Sequence, residues 1–180
     1  MSASPPLLPA LRGLGALADT KPVVVVDNRE QLPLVFERLA SVSGTLTTGD
    51  YSISGLQDQF AVERKSIPDL IGCCVGDNRE RFERELHRLR GFRFKRLLIV
   101  GDRKELEDGH YFSKIKPRSV FHSLSAWEVR YDIAVVWSSA PTGAAQMIES
   151  WCYWFTREYI EVANALLRAA SGTASDHSSR

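Results

Sequence analysis

At 180 residues, with 44% hydrophobic and 25% charged residues, the chain has the composition of one globular domain, which excludes wholesale disorder, a collagen-like repeat and a second sizeable domain. The formal net charge of +1 does not mark a nucleic-acid binder but excludes none, because acids around a metal centre offset basic patches beside them. Cys73, Cys74 and Cys152 show neither disulfide-framework nor Cys-x-x-Cys spacing and fit a reducing intracellular compartment. No apolar run reaches the roughly 18 residues of a membrane span.

Residues 1–21 are rich in Pro, Ala and Gly, lack a secretion-signal pattern, and read as a flexible arm with a short helix near Leu11 to Ala18. An ordered domain is expected over 22–168. Val23 to Val26 is a β-branched run that predicts a strand buried on both faces, ending in the turn Asp27-Asn28-Arg29-Glu30. Leu32, Val35, Phe36 and Leu39 recur at helical spacing and predict a helix over 32–40. Three short strands follow, Thr45 to Thr48, Tyr51 to Ile53 and Gln59 to Lys65, separated by Gly49-Asp50 and Ser54-Gly55 turns. Ser66 then has the form of an N-cap, with Pro68 in the first turn and Asp69 placed to reach back to it, for a short helix ending near Cys74.

Asn78 to Arg90 predicts a helix with Phe82, Leu86 and Leu89 on its apolar face. Arg96 to Val100 is a buried strand closed by Gly101-Asp102, 103–118 a polar and partly basic connection, Ser119 to Tyr131 a helix with Val120, Leu124 and Trp127 at helical spacing, and Ile133 to Trp137 a further core strand. The longest helix runs from Pro141 to about Arg168. Ile148, Trp151, Phe155, Tyr159, Val162 and Leu166 share its core face; Tyr153, Ile160 and Leu167 recur on nearly the opposite side and suggest a partner subunit. Residues 169–180 read as a disordered tail. The order β-α-β-β-β-α-α-β-α-β-α implies an α/β fold around a mixed sheet.

Chemistry concentrates where acids meet strand ends. Along Phe60 to Lys65 alternate side chains share a face, so Glu63 and Lys65 stand together, opposite Phe60, Val62 and Arg64. Asp27, Glu30, Asp50 and Glu63 supply hard oxygens of the kind Mg²⁺ or Mn²⁺ takes, and the carbonyl of Arg64 is a further donor near the strand end. Lys65 would stand beside the attacking water and orient it, or stabilise the charge developing at phosphorus. Taken singly, Asp50 reads as a turn residue, Asp69 as a helix cap, and Asp27 and Glu30 as the solvated end of a strand. The conjunction carries the inference.

Val25-Val26-Asp27-Asn28-Arg29-Glu30, then Gly49-Asp50-Tyr51, then Glu63-Arg64-Lys65-Ser66-Ile67-Pro68-Asp69 resemble the signature of the XPF-type nuclease family, Gly-Asp-x(n)-Glu-Arg-Lys-x-x-x-Asp preceded by Asp-x-Arg-Glu. Arg81-Phe82-x-x-Glu85-x-x-Arg88-Leu89 is similar to that family's Arg-Phe-x-x-Gln-x-x-Arg-Leu helix, with Glu85 in place of Gln. The resemblance spans about 23–165. It implies a restriction-endonuclease-like α/β fold with a mixed central sheet flanked by helices, and divalent-metal-dependent cutting of branched, flapped or bubbled DNA. It also implies metal ligation by Asp27, Glu30, Asp50, Glu63 and Arg64, catalysis by Lys65 with Arg64 and Asp69 also functional, and a homodimer.

Arg81, Arg84 and Arg88 on one helix face, and Lys114, Lys116 and Arg118 in the basic connection, are candidates for phosphate contact; each set also reads as a solvated face. The tandem helix-hairpin-helix modules that commonly follow such a domain are not within these residues, which leaves the DNA preference open. A second reading is a catalytically silent DNA-binding or scaffold subunit paired with an active partner. Retention of Asp27, Asp50, Glu63 and Lys65 together weighs against it.

Overall fold

The structure, a computed structural model, describes residues 21–176, with side chains described to Ala169. The predicted arm over 1–21 lies, apart from Lys21, outside the described residues. Six strands form one sheet: β1 (Val24–Asp27), β2 (Ser41–Gly44), β3 (Tyr51–Ile53), β4 (Phe60–Ser66), β5 (Phe94–Val100) and β6 (Ala134–Ser138), in the order β2-β1-β3-β4-β5-β6. The β1–β2, β4–β5 and β5–β6 pairs are parallel, and β3 runs antiparallel to both β1 and β4. The expected mixed sheet is therefore present, and β1 and β4 run the same way, so their carboxyl ends lie at one edge.

Helices cover both faces: α1 (Ile67–Gly72), α2 (Gly76–Leu89), α3 (Arg103–Glu107), α4 (Pro117–Tyr131) and α5 (Pro141–Asp176). The strand alternation read in the sequence decides which side chain goes where. Ala61, Leu97 and Ile99 pack with Leu70, Phe82, Leu86, Leu89, Val120, Leu124 and Trp127 of α1, α2 and α4. Phe60, Val62, Leu98 and Val100 pack on the other face with Ile148, Cys152 and Phe155 of α5. Full burial contributes roughly 1.5–3 kcal/mol for each large apolar side chain, which is why β4 carries no polar residue before Glu63 and β5 none after Arg96. No helix of the described residues is long and apolar enough to cross a membrane.

The segment 32–40 is not a helix. Its backbone donors go elsewhere: Leu34 N–H donates to Tyr51 Oη at 3.0 Å, and Arg38 and Leu39 N–H both donate to Glu149 Oε1, at 2.6 and 3.0 Å. Leu34 and Leu39 are buried in this arrangement, while Leu32 and Val35 stand 76% and 80% exposed. The extended course brings Ser41–Gly44, not Thr45–Thr48, alongside β1 as its parallel neighbour.

Two further elements differ from expectation. The start of the polar connection forms α3, because Asp102 accepts from Lys104 N–H at 2.9 Å and caps a short helix. The last helix extends past Arg168 to Asp176. Tyr153, expected to face a partner, is buried within its own chain at 1% exposure. It lies one turn after Glu149, the residue that holds the extended segment against α5.

Candidate active site

The strand ends bring three acids together through the backbone itself. Asp27 is the last residue of β1, and its N–H donates to the Asp50 carbonyl at 2.8 Å; Asp50 N–H donates to the Val62 carbonyl of β4, also at 2.8 Å. The Asp50 carboxylate then accepts from Arg64 N–H at 2.7 Å. The preceding Gly49 has φ +81°, and a Cβ there would meet Ala61 Cβ at 3.2 Å and the Val62 carbonyl oxygen at 3.3 Å. Only glycine lets the turn lie this close to β4, which is the physical content of the Gly-Asp pair.

Glu63 and Lys65 follow on β4, joined by a 2.5 Å hydrogen bond from Nζ to Oε1. Lys65 also stands 5.2 Å from the centre of the Phe82 ring. These residues open on a cleft of about 200 Å³ whose walls include Asp27, Asp50, Glu63, Lys65, Thr48, Glu85, Arg29, Arg81 and Arg88. Burial, together with the neighbouring Glu63, pushes the Asp50 pKa up to about 7. Burial also raises Glu63, against the pull of Lys65. For Lys65 burial works against the ammonium, but Glu63 and Asp50 beside it hold its pKa above the ordinary lysine value.

Asp27 is differently placed. Burial disfavours its carboxylate, yet hydrogen bonds from Arg29 and Leu46 hold its pKa below the usual range. Arg29 donates through Nε to Oδ1 at 2.7 Å and Nη2 to Oδ2 at 3.0 Å, while the Arg29 and Leu46 backbone N–H groups reach the same oxygens at 2.9 and 2.7 Å. With Arg29 closed on Asp27 and Lys65 on Glu63, no three Asp, Glu, His or Cys side chains converge to hold an ion among the described residues. Thr48 Oγ1, in the cleft wall, is buried with no hydrogen-bond partner.

Residues 26–150 match the sequence profile of the ERCC4 domain. The chain belongs to the ERCC4 domain family. Two solved structures carry a similar fold. The XPF protein from Aeropyrum pernix matches at a TM-score of 0.61 with 24% identity over 75% of this chain and 62% of that one. The same protein in complex with DNA matches at 0.60 with 23% identity over 77% and 66%. At that identity the likeness shows the fold, a restriction-endonuclease-like sheet with flanking helices. The chain spans under two thirds of the length of either structure. No curated protein matches the sequence.

Against this ERCC4 fold the predicted residues sort by position. Asp27, Asp50, Glu63 and Lys65 share the cleft, joined by Arg81 and Arg88. Glu30 and the Arg64 side chain lie outside it, paired with each other through Nε–Oε2 at 3.1 Å and Nη2–Oε1 at 2.9 Å. Asp69 completes the Ser66 cap, with Ser66 Oγ donating to its Oδ2 at 2.6 Å. Arg84 is exposed on α2 and lines neither this cleft nor the one beside it. Lys114 and Lys116 on the approach to α4 and Arg118 in its first turn are exposed and line neither cleft. Arg29, Thr48 and Glu85 are cleft residues that the sequence reading assigned no duty. The Asp-x-Arg-Glu pattern named Arg29 as a motif letter, and only the folded turn reveals it as the partner of Asp27.

Proposed function

We propose that this chain is a divalent-metal-dependent DNA endonuclease that hydrolyses phosphodiester bonds at branched, flapped or forked DNA. The observation that carries the reading is the stitching of Asp27, Asp50 and Glu63 onto neighbouring strand ends with Lys65 hydrogen-bonded to Glu63. ERCC4 membership and the DNA-bound state of the similar Aeropyrum pernix protein support it.

The donor set fits Mg²⁺ or Mn²⁺. Three carboxylates are hard ligands, two of them are driven toward protonation by burial despite Lys65 beside them, and Thr48 Oγ1 is an orphaned polar atom in the same wall. Asp27, Asp50, Glu63 and the Arg64 carbonyl would hold the ion, Glu30 being left to orient Arg64. When bound, such an ion acidifies a water and offsets the charge building at phosphorus. Lys65, kept protonated by its neighbours, acts as an ammonium: Nζ donates to the attacking water or to a non-bridging oxygen rather than removing a proton. Arg81 and Arg88 are set on the cleft rim to take the flanking phosphates.

A homodimer completes the proposal. The core stripe of α5 continues beyond Tyr159 as Val162 and Leu166, which are 52% and 67% exposed. An exposed continuation of a core stripe is a natural seat for a second copy.

The function is tested by incubating purified protein with labelled flap, fork, junction and linear duplex DNA in Mg²⁺, Mn²⁺ or EDTA. Metal-dependent cutting of the branched forms is expected. Binding without cutting in either metal would favour a silent subunit.

A further inference from the structure

A second cleft of about 270 Å³ lies between α1 and α2, directly beside the acid cleft. The two share Lys65, Arg81 and Glu85, so the Arg81–Glu85 pair, 3.7 Å apart, forms the ridge between them. Beyond that ridge the walls change character. Pro68, Cys73 and Phe82 are apolar, Asp69 and Asn78 supply the polar edge, and Gly72 leaves one side open.

This distribution selects a ligand. Both cations of the second cleft, Lys65 and Arg81, stand on the shared wall with Glu85, and the charged residue beyond that wall is Asp69, so a phosphate carried past the ridge would meet a carboxylate without an opposing cation. A neutral planar group with N–H donors meets apolar walls instead, with the Asp69 carboxylate and the Asn78 amide at its edge. A nucleotide whose phosphate sits against Lys65 would carry its base across the ridge into that space. We infer that the α1–α2 cleft is a subsite for a single unpaired nucleobase bearing an exocyclic amine, adjacent to the phosphate that is cut. The inference rests on the nuclease reading and deepens it: recognition of branched DNA would then include one base removed from its stack, available at a flap or fork and costly in intact duplex.

Two variants probe the subsite without touching the acids. Gly72 lines the cleft, and a Cβ built on it meets no atom within 4 Å, so Gly72→Leu fills the space without a backbone clash. Asn78→Ala removes the amide at an exposed position of α2. On a flap substrate whose cut has been mapped, each flanking nucleotide is replaced in turn by thymidine or an abasic unit. At one position the abasic unit should lower wild-type kcat/KM about ten-fold, the scale of one lost base contact, with thymidine between the abasic unit and cytosine. Gly72→Leu should cut the unmodified flap at the wild-type abasic rate and lose the abasic penalty, and Asn78→Ala should narrow the gap between cytosine and thymidine.

A separate readout needs no cleavage. In EDTA, a short single strand carrying 2-aminopurine should show a saturable fluorescence change with wild-type protein and none with Gly72→Leu. Cutting that ignores every flanking base, a full penalty retained by Gly72→Leu, or an equal fluorescence change with both proteins would overturn the subsite. A saturable, Gly72-dependent signal without any cutting would uphold the subsite and sink the nuclease reading.

Discussion

Arg29 and Asp27 close on each other as a two-pronged pair two residues apart, and Arg29 Nη2 also donates to the Leu46 carbonyl at 2.9 Å. Asp27 is buried while the Arg29 side chain is 67% exposed, so the acid is fixed and the cation is free to turn outward. An ion entering the cleft competes with Arg29 for the same oxygens. Charge-assisted hydrogen bonds contribute about 1.5–3 kcal/mol, so Arg29→Ala should bind Mn²⁺ about ten-fold more tightly in titration calorimetry without DNA. Unchanged or weaker binding would remove Asp27 from the ligand set.

Lys65 carries a different expectation. Loss of a positioned donor at a developing oxyanion costs about 10²–10³ in rate, so Lys65→Ala should lose cleavage on that scale in single-turnover assays while still retaining the DNA in gel shifts. Leaving Glu63 buried and unpaired also destabilises the fold; Lys65→Met with Glu63→Gln should recover the melting temperature but not the activity. Cutting by Lys65→Ala at the wild-type rate would exclude Lys65 from the chemistry.

The acids set a pH dependence in the metal-free protein. Asp50 titrates near 7 in the fold and has an ordinary value of 3.8. A carboxyl raised by folding contributes stability that is fully present below its unfolded pKa and lost as pH rises through the folded one. In EDTA the melting temperature should therefore fall between about pH 4 and pH 7.5 and level off above, and Asp50→Asn should flatten that fall. A melting temperature that rises over this window would contradict the buried placement of Asp50.

Arg38 and Glu149 form a buried pair, Nε to Oε2 at 2.7 Å, with side chains 7% and 1% exposed. Removing one partner of such a pair costs about 3–5 kcal/mol, and here the Arg38 and Leu39 N–H groups lose their acceptor as well. Glu149→Leu should lower urea stability on that scale, and adding Arg38→Met should return part of it. A change below about 1 kcal/mol would mean that the pair does not hold the extended segment.

The distal half of α5 is tested by Val162→Glu with Leu166→Glu. Light scattering should report twice the chain mass for the wild type and the single chain mass for the variant, with unchanged circular dichroism. A variant that remains dimeric would place the interface elsewhere.

What could be read from the sequence was local. Ser66, Pro68 and Asp69 lie within one turn of each other, and the cap forms as their spacing implied. The Phe82, Leu86 and Leu89 stripe and the Val120, Leu124 and Trp127 stripe are buried as their periodicity required. The segment 32–40 has an equally good helical stripe, but the acceptors that claim its N–H groups, Tyr51 Oη and the Glu149 carboxylate, come from β3 and α5, which no local pattern reveals. Tyr153 was misplaced for a related reason: a helical wheel gives angles, not the identity of the chain that covers each one. The acids were named together by their motifs, and the side of β4 that Arg64 takes followed from strand alternation, whereas the division between Asp27 inside the cleft and Glu30 outside it depends on Glu30 pairing with Arg64 across 34 residues, which no local pattern reveals.

Asp50 is bonded through its backbone to β1 on one side and β4 on the other, although it sits in a turn between strands. A turn so tied has no motion of its own to lend the site. The spacing of Asp27, Asp50 and Glu63 is set by the hydrogen-bond ladder rather than by side-chain packing, so opening it requires unzipping the centre of the sheet. The adjustable parts are the cations above it, Arg29 at the rim and the arginines of α2. Variation in these can retune what the site accepts while the acids beneath keep their separation for as long as the domain stays folded.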